Sequence, residues 1–580
     1  MSEHQPPSGT PEYLEQGGGA PLLPPETAPA EPGAGRGRGR RAWWIGGGVL
    51  ALVGLGAGAW AALGFFQQGT QPAAALPAST MAYLSIDLDP SGGQKIDAFR
   101  TLNKFPAFKD EVGVSTVDDI RRKVGEAFIS SAHCTGLTYA DDVEPWLGDR
   151  AAVAAVDLGQ DDPAPVFVLQ VTDEGKARQG IEALNACDGP GDSAGDGTAG
   201  YVVQDGWALL ADTQQVADQV AAETKKGTLA DDATYQRWTQ AVGDAGVVNG
   251  YAAPAVGPYL NSKVGDLEQQ LQQFGQFGLA AQTPGTMPGT MPGAVPSPVP
   301  GADSTTMTSA YHAAATTGPL NDALQHFQGA AMTLRFTGDG LELATASDPG
   351  LSQSGMTSDQ GGRIVSRLPD DTAAALGVGL RPGWFTQLTD RMRMTFGGGL
   401  SRQQLEQEMS ADLGIDVPAD LETLLGTSTA LSLDGGFSAE DLANAADLSK
   451  IPVAATVQGD PAAIGTVLDK LRGQSQDAAQ MLGSDSSDDL VAIGPSAAYR
   501  QKVLTGGHLG ETDAFRSVVP DADRAGAVLF VNADAMEVGL GDLIDGDAQT
   551  AENINPLKAI GFSTWLDGDV AHASFRITTD

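Results

Sequence analysis

Two stretches of this chain begin alike: LPASTMAYLSIDLDP at residues 76–90 and LPDDTAAALGVGLRP at residues 368–382. Each opens with Leu-Pro-x-x-Thr and continues into a segment that is typical of a β-strand, and YLSIDL alternates apolar and polar residues as a half-buried strand does. The likeness recurs downstream, where DVEPWLG from Asp142 is matched by DLETLLG from Asp420, and an apolar run follows each. The repetition predicts that one folding unit is present twice.

Both stretches introduce similar successions of elements. Hairpin patterns (AAVAAVDL with PVFVLQVT, and TALSLDGG with PVAATVQG) precede segments with apolar residues at helical spacing. Each succession closes on a hairpin with a turn at Asp339-Gly340 or Asp567-Gly568. Hairpins and helices without a regular alternation of single strands and helices predict an α+β fold. We expect a tandem duplicated ectodomain of largely antiparallel sheets, with helices on one face and the copies packed about a pseudo-twofold axis.

The N-terminal region predicts a membrane anchor. Trp43–Phe66 contains no charged residue, and its length at ~1.5 Å per residue suffices for a bilayer core. Arg36, Arg38, Arg40 and Arg41 precede it, and no Lys or Arg follows until Lys95. The positive-inside rule therefore predicts one N-terminal transmembrane helix, with the N-terminus cytoplasmic and residues 67–580 extracytoplasmic.

The domain organisation follows from these patterns. Residues 1–41, rich in Pro and Gly, are predicted to be disordered, and the Met- and Pro-rich segment 283–304 is predicted to be a flexible loop. The predicted order is a cytoplasmic tail at 1–41, a signal anchor at 42–66, a linker at 67–75, copy one at 76–347 with its loop at 283–304, a linker at 348–366 and copy two at 367–580.

Charge restricts the partners. The formal net charge is −39, and no basic patch with interleaved aromatics occurs, so nucleic-acid binding is not expected. The membrane is an expected partner through residues 42–66. Gly54 and Gly58 form a small-xxx-small pair that would let two anchors pack, so a homodimer is one option.

The chain contains two cysteines, Cys134 and Cys187, both in the first copy. In an oxidising compartment an even pair within one domain more often forms a bridge than two free thiols, so we expect a Cys134–Cys187 disulfide. No CxxC redox motif, no HExxH metal motif and no Walker loop occurs. We therefore expect no metal, no cofactor and no nucleotide site.

Two strings resemble parts of a serine hydrolase: Ala132-His133-Cys134, and Gly191-Asp192-Ser193-Ala194-Gly195. The Gly-Asp-Ser string follows a predicted helix and precedes a predicted strand, whereas the hydrolase elbow needs a strand and then a helix. The second copy has neither string. Chance matches are therefore the favoured interpretation, and no catalytic residue is assigned.

The opening LPASTMAYLSIDLDPSGGQK, placed after a single predicted anchor, resembles a membrane-anchored actinobacterial family known as the domain of unknown function numbered three-three-five-two. The resemblance covers about residues 70–580 and implies an address and a class but no catalytic residue. The leading hypothesis is a non-enzymatic cell-envelope protein whose ectodomain binds or scaffolds an envelope partner. The alternative is a carrier of lipid or another apolar component, and a serine hydrolase is a remote third.

Overall fold

The Leu-Pro-x-x-Thr stretches start the two halves with the same hydrogen bonds. The Thr80 hydroxyl donates to the Pro77 carbonyl oxygen at 2.7 Å, and the Thr372 hydroxyl donates to that of Pro369 at the same distance. Both threonines are buried, so this turn satisfies a hydroxyl that water cannot reach. Each turn leads directly into a strand.

The computed structural model describes residues 71–88, 92–102, 104–105, 122, 126, 129, 136–186, 199–263, 319–338, 340–351, 356–395, 401–436, 451–536 and 554–580. The first half of this part contains β1 Thr80–Asp87, α1 Gly92–Leu102, β2 Leu147–Val156, β3 Ala164–Val171, α2 Glu174–Ala186, β4 Gly200–Gln204, β5 Trp207–Ala211, α3 Gln214–Thr224, α4 Ala233–Val242, β6 Val248–Ala252, α5 Pro319–Gln325, β7 Ala330–Thr337 and β8 Gly340–Ser347.

The second half has a similar succession. It contains α6 Gly361–Ser366, β9 Thr372–Gly379, α7 Trp384–Thr395, α8 Arg402–Leu413, α9 Ala419–Leu425, β10 Ser428–Asp434, β11 Val453–Gln458, α10 Pro461–Arg472, α11 Gln476–Met481, β12 Ser484–Ser487, β13 Leu490–Ile493, α12 Ala497–Thr505, α13 Asp513–Val518, β14 Ala525–Asn532, β15 Leu557–Asp567 and β16 Val570–Thr579.

All these strands form one 16-stranded sheet, and every pairing is antiparallel. From the outer edge to the centre, the first half runs β4-β5-β3-β2-β1-β6-β7-β8 and the second half β12-β13-β11-β10-β9-β14-β15-β16. The two orders are the same strand for strand. The prediction of a mixed α+β fold with antiparallel pairing is confirmed, whereas separate sheets are not found in the described residues.

The halves meet where β8 pairs with β16. In the β7–β8 hairpin Thr345 pairs with Met332, and in the β15–β16 hairpin Phe575 pairs with Phe562. Thr345 and Phe575 therefore occupy equivalent positions in the two halves. By the same register Ala344 is equivalent to Ser574, and these two residues are paired with each other across the junction. A local twofold axis therefore passes between them.

Helices cover both faces of the sheet, contrary to the expectation of one face. Successive residues of a strand point to opposite faces, and Val168 packs in the core beneath α3 and α4 while Leu169 packs against α2. We call the face of Val168 face one and the face of Leu169 face two. In the second half α12 and α13 lie on face one and α10 on face two.

Helix starts follow the sequence closely. Asp232 accepts hydrogen bonds from the backbone N–H groups of Thr234 and Tyr235 at the start of α4, and Asp460 caps α10 just before Pro461. These side chains satisfy N–H groups that have no partner within the helix. The residues expected to link the copies, 348–366, include α6, whose Ile364 and Val365 are buried in the core of the second half. The second half therefore begins before residue 367.

No helix in the described part of the chain, which begins at Gln71, is long and apolar enough to cross a bilayer. The predicted anchor at 42–66, the tail at 1–41 and the loop at 283–304 lie outside the described residues. Each closing turn lies one residue away from its predicted position. Gly340 and Asp567 were predicted to be turn residues, but each is the last paired residue of its hairpin.

A buried carboxylate joins the halves. Glu342 on β8, only 3% exposed in its side chain, accepts from Nε of Arg335 on β7 at 2.8 Å and from Nε of Arg576 on β16 at 2.9 Å. The Ser574 hydroxyl donates to the same carboxylate at 2.9 Å. Burial alone would raise the pKa of Glu342, but the charges of Arg576 and Arg335 outweigh it and lower the pKa.

Replacing this carboxylate tests the importance of the junction. Glu342→Gln leaves two guanidinium groups without their counter-charge, so we expect the free energy of unfolding to fall by about 3 kcal/mol at neutral pH. Glu223→Gln, at an exposed ion pair with Lys226, is the control and should cost at most about 1 kcal/mol. The measurement is denaturant unfolding of the full chain.

The acid range gives a second readout of the same pair of variants. Because the pKa of Glu342 is lower in the folded chain than the ordinary 4.5, its contribution is present above pH 4.5 and is lost as pH falls further. The gap between wild type and Glu342→Gln should therefore narrow in acid. Equal losses for Glu342→Gln and Glu223→Gln would contradict a central role for the junction.

Candidate functional site

A row of large apolar side chains lies on face two, and the packing of the sheet against its own helices does not explain it. Leu376 pairs with Leu431 on one side and with Leu529 on the other, and the register then continues through Phe562 to Phe575. These residues lie on five neighbouring strands, from β10 to β16. We call them the apolar row; it consists of Leu431, Leu376, Leu529, Phe562 and Phe575.

Four of the five members of the apolar row are exposed, and Phe562 is partly buried. Leu376 is 53% exposed, Leu431 48%, and Leu529 and Phe575 36% each. Single exposed leucines are ordinary on protein surfaces, but cross-strand neighbours lie only ~5 Å apart, so these side chains form one continuous patch. Contiguous exposed apolar surface of this kind marks binding sites.

The rows on either side of it carry no charge. Towards one end of the strands lie Leu433, Ala374, Val531, Ile560 and Ile577, and towards the other Thr429, Val378, Ala527, Thr564 and Ala573. With three positions on each of five strands, spaced ~4.8 Å across the sheet and ~6.8 Å along a strand, the uncharged patch has a projected area of about 500 Å².

Helices border the patch on face two. On the side of the second half, Trp384 and Phe385 of α7 pack with Val467 of α10 and with Val378, so α7 covers that corner of the patch. On the side of the first half, Ala98 and Leu102 of α1 pack with Phe336 and Leu341. The apolar row lies between these two covered regions.

The first half provides an internal comparison. The positions equivalent to the apolar row are Val153, Leu84, Gly250, Met332 and Thr345. None of them is among the exposed large hydrophobic residues. Both halves share the backbone register, but the exposed apolar surface occurs at these positions in the second half and not in the first.

A second asymmetry lies on face one, at the position equivalent to Glu342. That position is His572, whose ring stacks on Trp565 with centroids 5.1 Å apart and an interplanar angle of 5°. The Arg524 guanidinium lies over the same indole, 5.7 Å from its centroid. The Trp565 ring is thus in contact with two residues of this chain.

Burial lowers the pKa of His572, and Arg524 acts in the same direction, while Asp567 and Asp521 oppose it. The neutral imidazole is therefore favoured in the folded chain. The sequence suggested a sheet-surface histidine at this position; the ring is half-buried.

A second buried ion pair occurs near the start of the described chain. Arg150 Nε on β2 donates to Asp87 on β1 at 3.0 Å, and the Gln71 amide donates to the same carboxylate at 3.1 Å. Gly379 and Ser428 stand at the equivalent positions of the second half. The polar groups of this cluster bond to one another, as in a structural pair, and do not converge on an open site.

The residues singled out for hydrolase chemistry, His133 and Ser193, lie outside the described residues, as do Cys134 and Cys187. Within the residues that are described, no group of three His, Cys, Asp or Glu side chains is placed to hold a metal ion. Asp485 on β12 is paired with Arg500 at 2.8 Å. Four tryptophans are buried in cores: Trp146, Trp207, Trp238 and Trp384.

Sequence reasoning did not identify the apolar row. One signal was available: AAALGVG in β9 and AGAVLFV in β14 are apolar at nearly every position, as in strands that are buried on both faces. The structure shows that one of those faces is covered by helices and that the other is partly open.

The comparisons with known proteins address the first half of the chain. Residues 45–283 match the model of a family described as a protein of unknown function (DUF3352). The match confirms the family expected from the opening motif, over residues 45–283 and not over the expected 70–580. It does not test the expected actinobacterial origin or membrane anchor. No curated protein and no solved structure matches the chain.

The stacked histidine predicts a pH dependence of stability. Because the folded chain holds His572 below its ordinary pKa of 6.5, the unfolded chain binds more protons, and stability falls as pH drops below about 6.5. The His572→Phe variant keeps a stacked ring but cannot be protonated, so it should lack this fall in stability. The measurement is the unfolding free energy of both proteins between pH 7.5 and pH 5. Parallel pH curves would show that His572 does not cause the fall.

Proposed function

We propose that this chain, which carries the DUF3352 domain over residues 45–283, is a non-enzymatic binding module of the cell envelope. In this proposal the apolar row is the contact surface for an apolar partner. The single observation that carries it is the alignment of Leu431, Leu376, Leu529 and Phe575 as exposed neighbours in one register. Exposed apolar surface has an unfavourable hydration free energy, which a partner would relieve.

We further propose that the ectodomain arose by duplication. The identical strand orders support this, as does the equivalent pairing in both halves. Side chains at matched positions also repeat their contacts: Asp142 accepts from the Thr138 N–H at 2.7 Å, and Asp420 accepts from the Asp416 N–H at 2.8 Å. A duplicated scaffold in which one half gained an exposed row fits a binding role that was added to an existing fold.

A non-enzymatic role is proposed because the buried charges found in the described residues are engaged within the fold. Glu342 is held by Arg335 and Arg576, and Asp87 by Arg150. A catalytic acid or base needs access to a substrate, which these groups lack. Enclosure of a lipid is the weaker alternative, because ligand pockets bury most of their ligand, whereas the side chains of the apolar row are themselves open to solvent.

The binding surface is tested with a neutral environment-sensitive dye such as Nile red and the full chain in neutral-lipid nanodiscs. We expect Leu376→Ser with Leu529→Ser to remove most of the protein-dependent fluorescence, because the row loses its two central side chains. Met481→Ser on α11, which replaces a side chain that is 39% exposed away from the row, is the matched control. Subtracting the signal of each variant from that of wild type in the same nanodiscs removes the lipid contribution.

The control should retain the wild-type signal. Equal signals from wild type and the double variant would exclude the apolar row as a binding surface.

The proposed location is tested separately. An anchor at 42–66 with its N-terminus in the cytoplasm predicts that protease added to intact cells cleaves within 283–304 and spares 1–41. Epitope tags at the two positions, followed by immunoblotting, report the cleavage. Digestion of the tail with protection of 283–304 would reverse the orientation.

A further inference from the structure

The size of the uncharged patch indicates a small occupant. Its footprint of about 24 Å by 20 Å can be spanned by one short secondary-structure element. A second copy of this chain would bring a second net charge of −39 against the first. Charge therefore disfavours self-association through this face and favours a segment of another protein.

The dimensions fit one helix. Five strands at ~4.8 Å spacing span about 19 Å between the first and last members of the apolar row. An α-helix of ~13 residues has the same length at 1.5 Å per residue. Elsewhere the sheet is already covered by helices of this size, since α10 lies on face two against Val457 and Val491.

Charge determines which kind of helix is favoured. The patch is free of charge, but it belongs to a chain with 73 acidic and 34 basic residues. Asp534 follows β14, one of the five strands of the patch, and partial burial and the nearby charge of Asp580, which Lys558 partly offsets, raise its pKa. A cation that approached Asp534 would stabilise its ionised form.

We propose that the apolar row binds an amphipathic α-helix of a partner protein, with leucine-type residues on one face and lysine or arginine on the other. The apolar face would cover Leu431, Leu376 and Leu529, and the basic face would point to solvent, within reach of the negative potential of the acidic chain. This is helix-in-groove recognition with complementary charge. The proposal rests on the proposed function, since it names the chemistry of the partner for the same surface.

The test uses fluorescence anisotropy of a labelled 14-residue helical peptide with leucines on one face and lysines on the other, titrated with the full chain in neutral-lipid nanodiscs. We expect saturable binding that weakens at least tenfold in the double variant Leu376→Ser, Leu529→Ser. Met481→Ser should bind as wild type does. A peptide with glutamate in place of each lysine should bind at least tenfold more weakly, and added salt should reduce this difference.

Each other outcome overturns a defined part of the proposal. Equal binding of the lysine and glutamate peptides would remove the basic helix as the occupant. Failure of both peptides, together with dye binding that depends on Leu376 and Leu529, would overturn this inference and leave the proposed function intact. Row-dependent binding of the full chain to added neutral phosphatidylcholine vesicles, with no peptide binding, would identify a lipid surface instead. If neither peptide binds and the dye signal does not depend on Leu376 and Leu529, both proposals are overturned.

Discussion

The continuity of the sheet depends on the pairing of β8 with β16 and on the carboxylate beside it. Without that pairing each half would end in a long edge strand with unpaired backbone groups, which is a template for aggregation. Glu342 lies one row from the twofold position of Ala344 and Ser574, and it binds arginines from both halves. A shift of one residue between β8 and β16 would place Glu342 and Arg576 on opposite faces of the sheet and remove that contact, while Arg335 stays paired with Glu342 within the β7–β8 hairpin. The buried charge therefore specifies a single register.

The outer edges of the sheet are protected in different ways. Along β4 the Gln214 side chain accepts from the Tyr201 N–H and donates to the Tyr201 carbonyl, and Arg178 donates to the Val203 carbonyl, so side chains occupy groups that a further strand would use. At the other end β12 has four residues, all of them polar. Short polar edges and capped edges both discourage strand addition. Strand addition at either edge of the sheet is therefore disfavoured.

The local elements could be predicted from the sequence because their signals are local. Asp205 and Gly206 have positive φ values of 53° and 78°, as the predicted two-residue hairpin turn requires. Helix α10 buries Ile464, Val467 and Leu468 at the predicted spacing. The strand β12 was missed because Ser-Asp-Ser-Ser offers no apolar face; it is held by pairing with β13 and by the ion pair of Asp485 with Arg500. The junction of the halves was missed because β8 and β16 are far apart in the chain, and periodicity does not indicate which strands pair.

The same distinction explains why the candidate site was not identified. Alternation in a strand shows which side chains share a face, but exposure depends on which helix reaches that face. Leu376 and its equivalent Leu84 have the same strand register and the same side chain, and only Leu376 is among the exposed large hydrophobic residues. In the second half Leu529 and Phe575 extend the apolar surface where the first half has Gly250 and Thr345. The halves thus share a strand register and differ in what surrounds the equivalent leucines. Without a partner, the exposed apolar row would only add an unfavourable hydration free energy to an acidic, otherwise well-packed sheet. That cost favours contact with a partner as the role of the row.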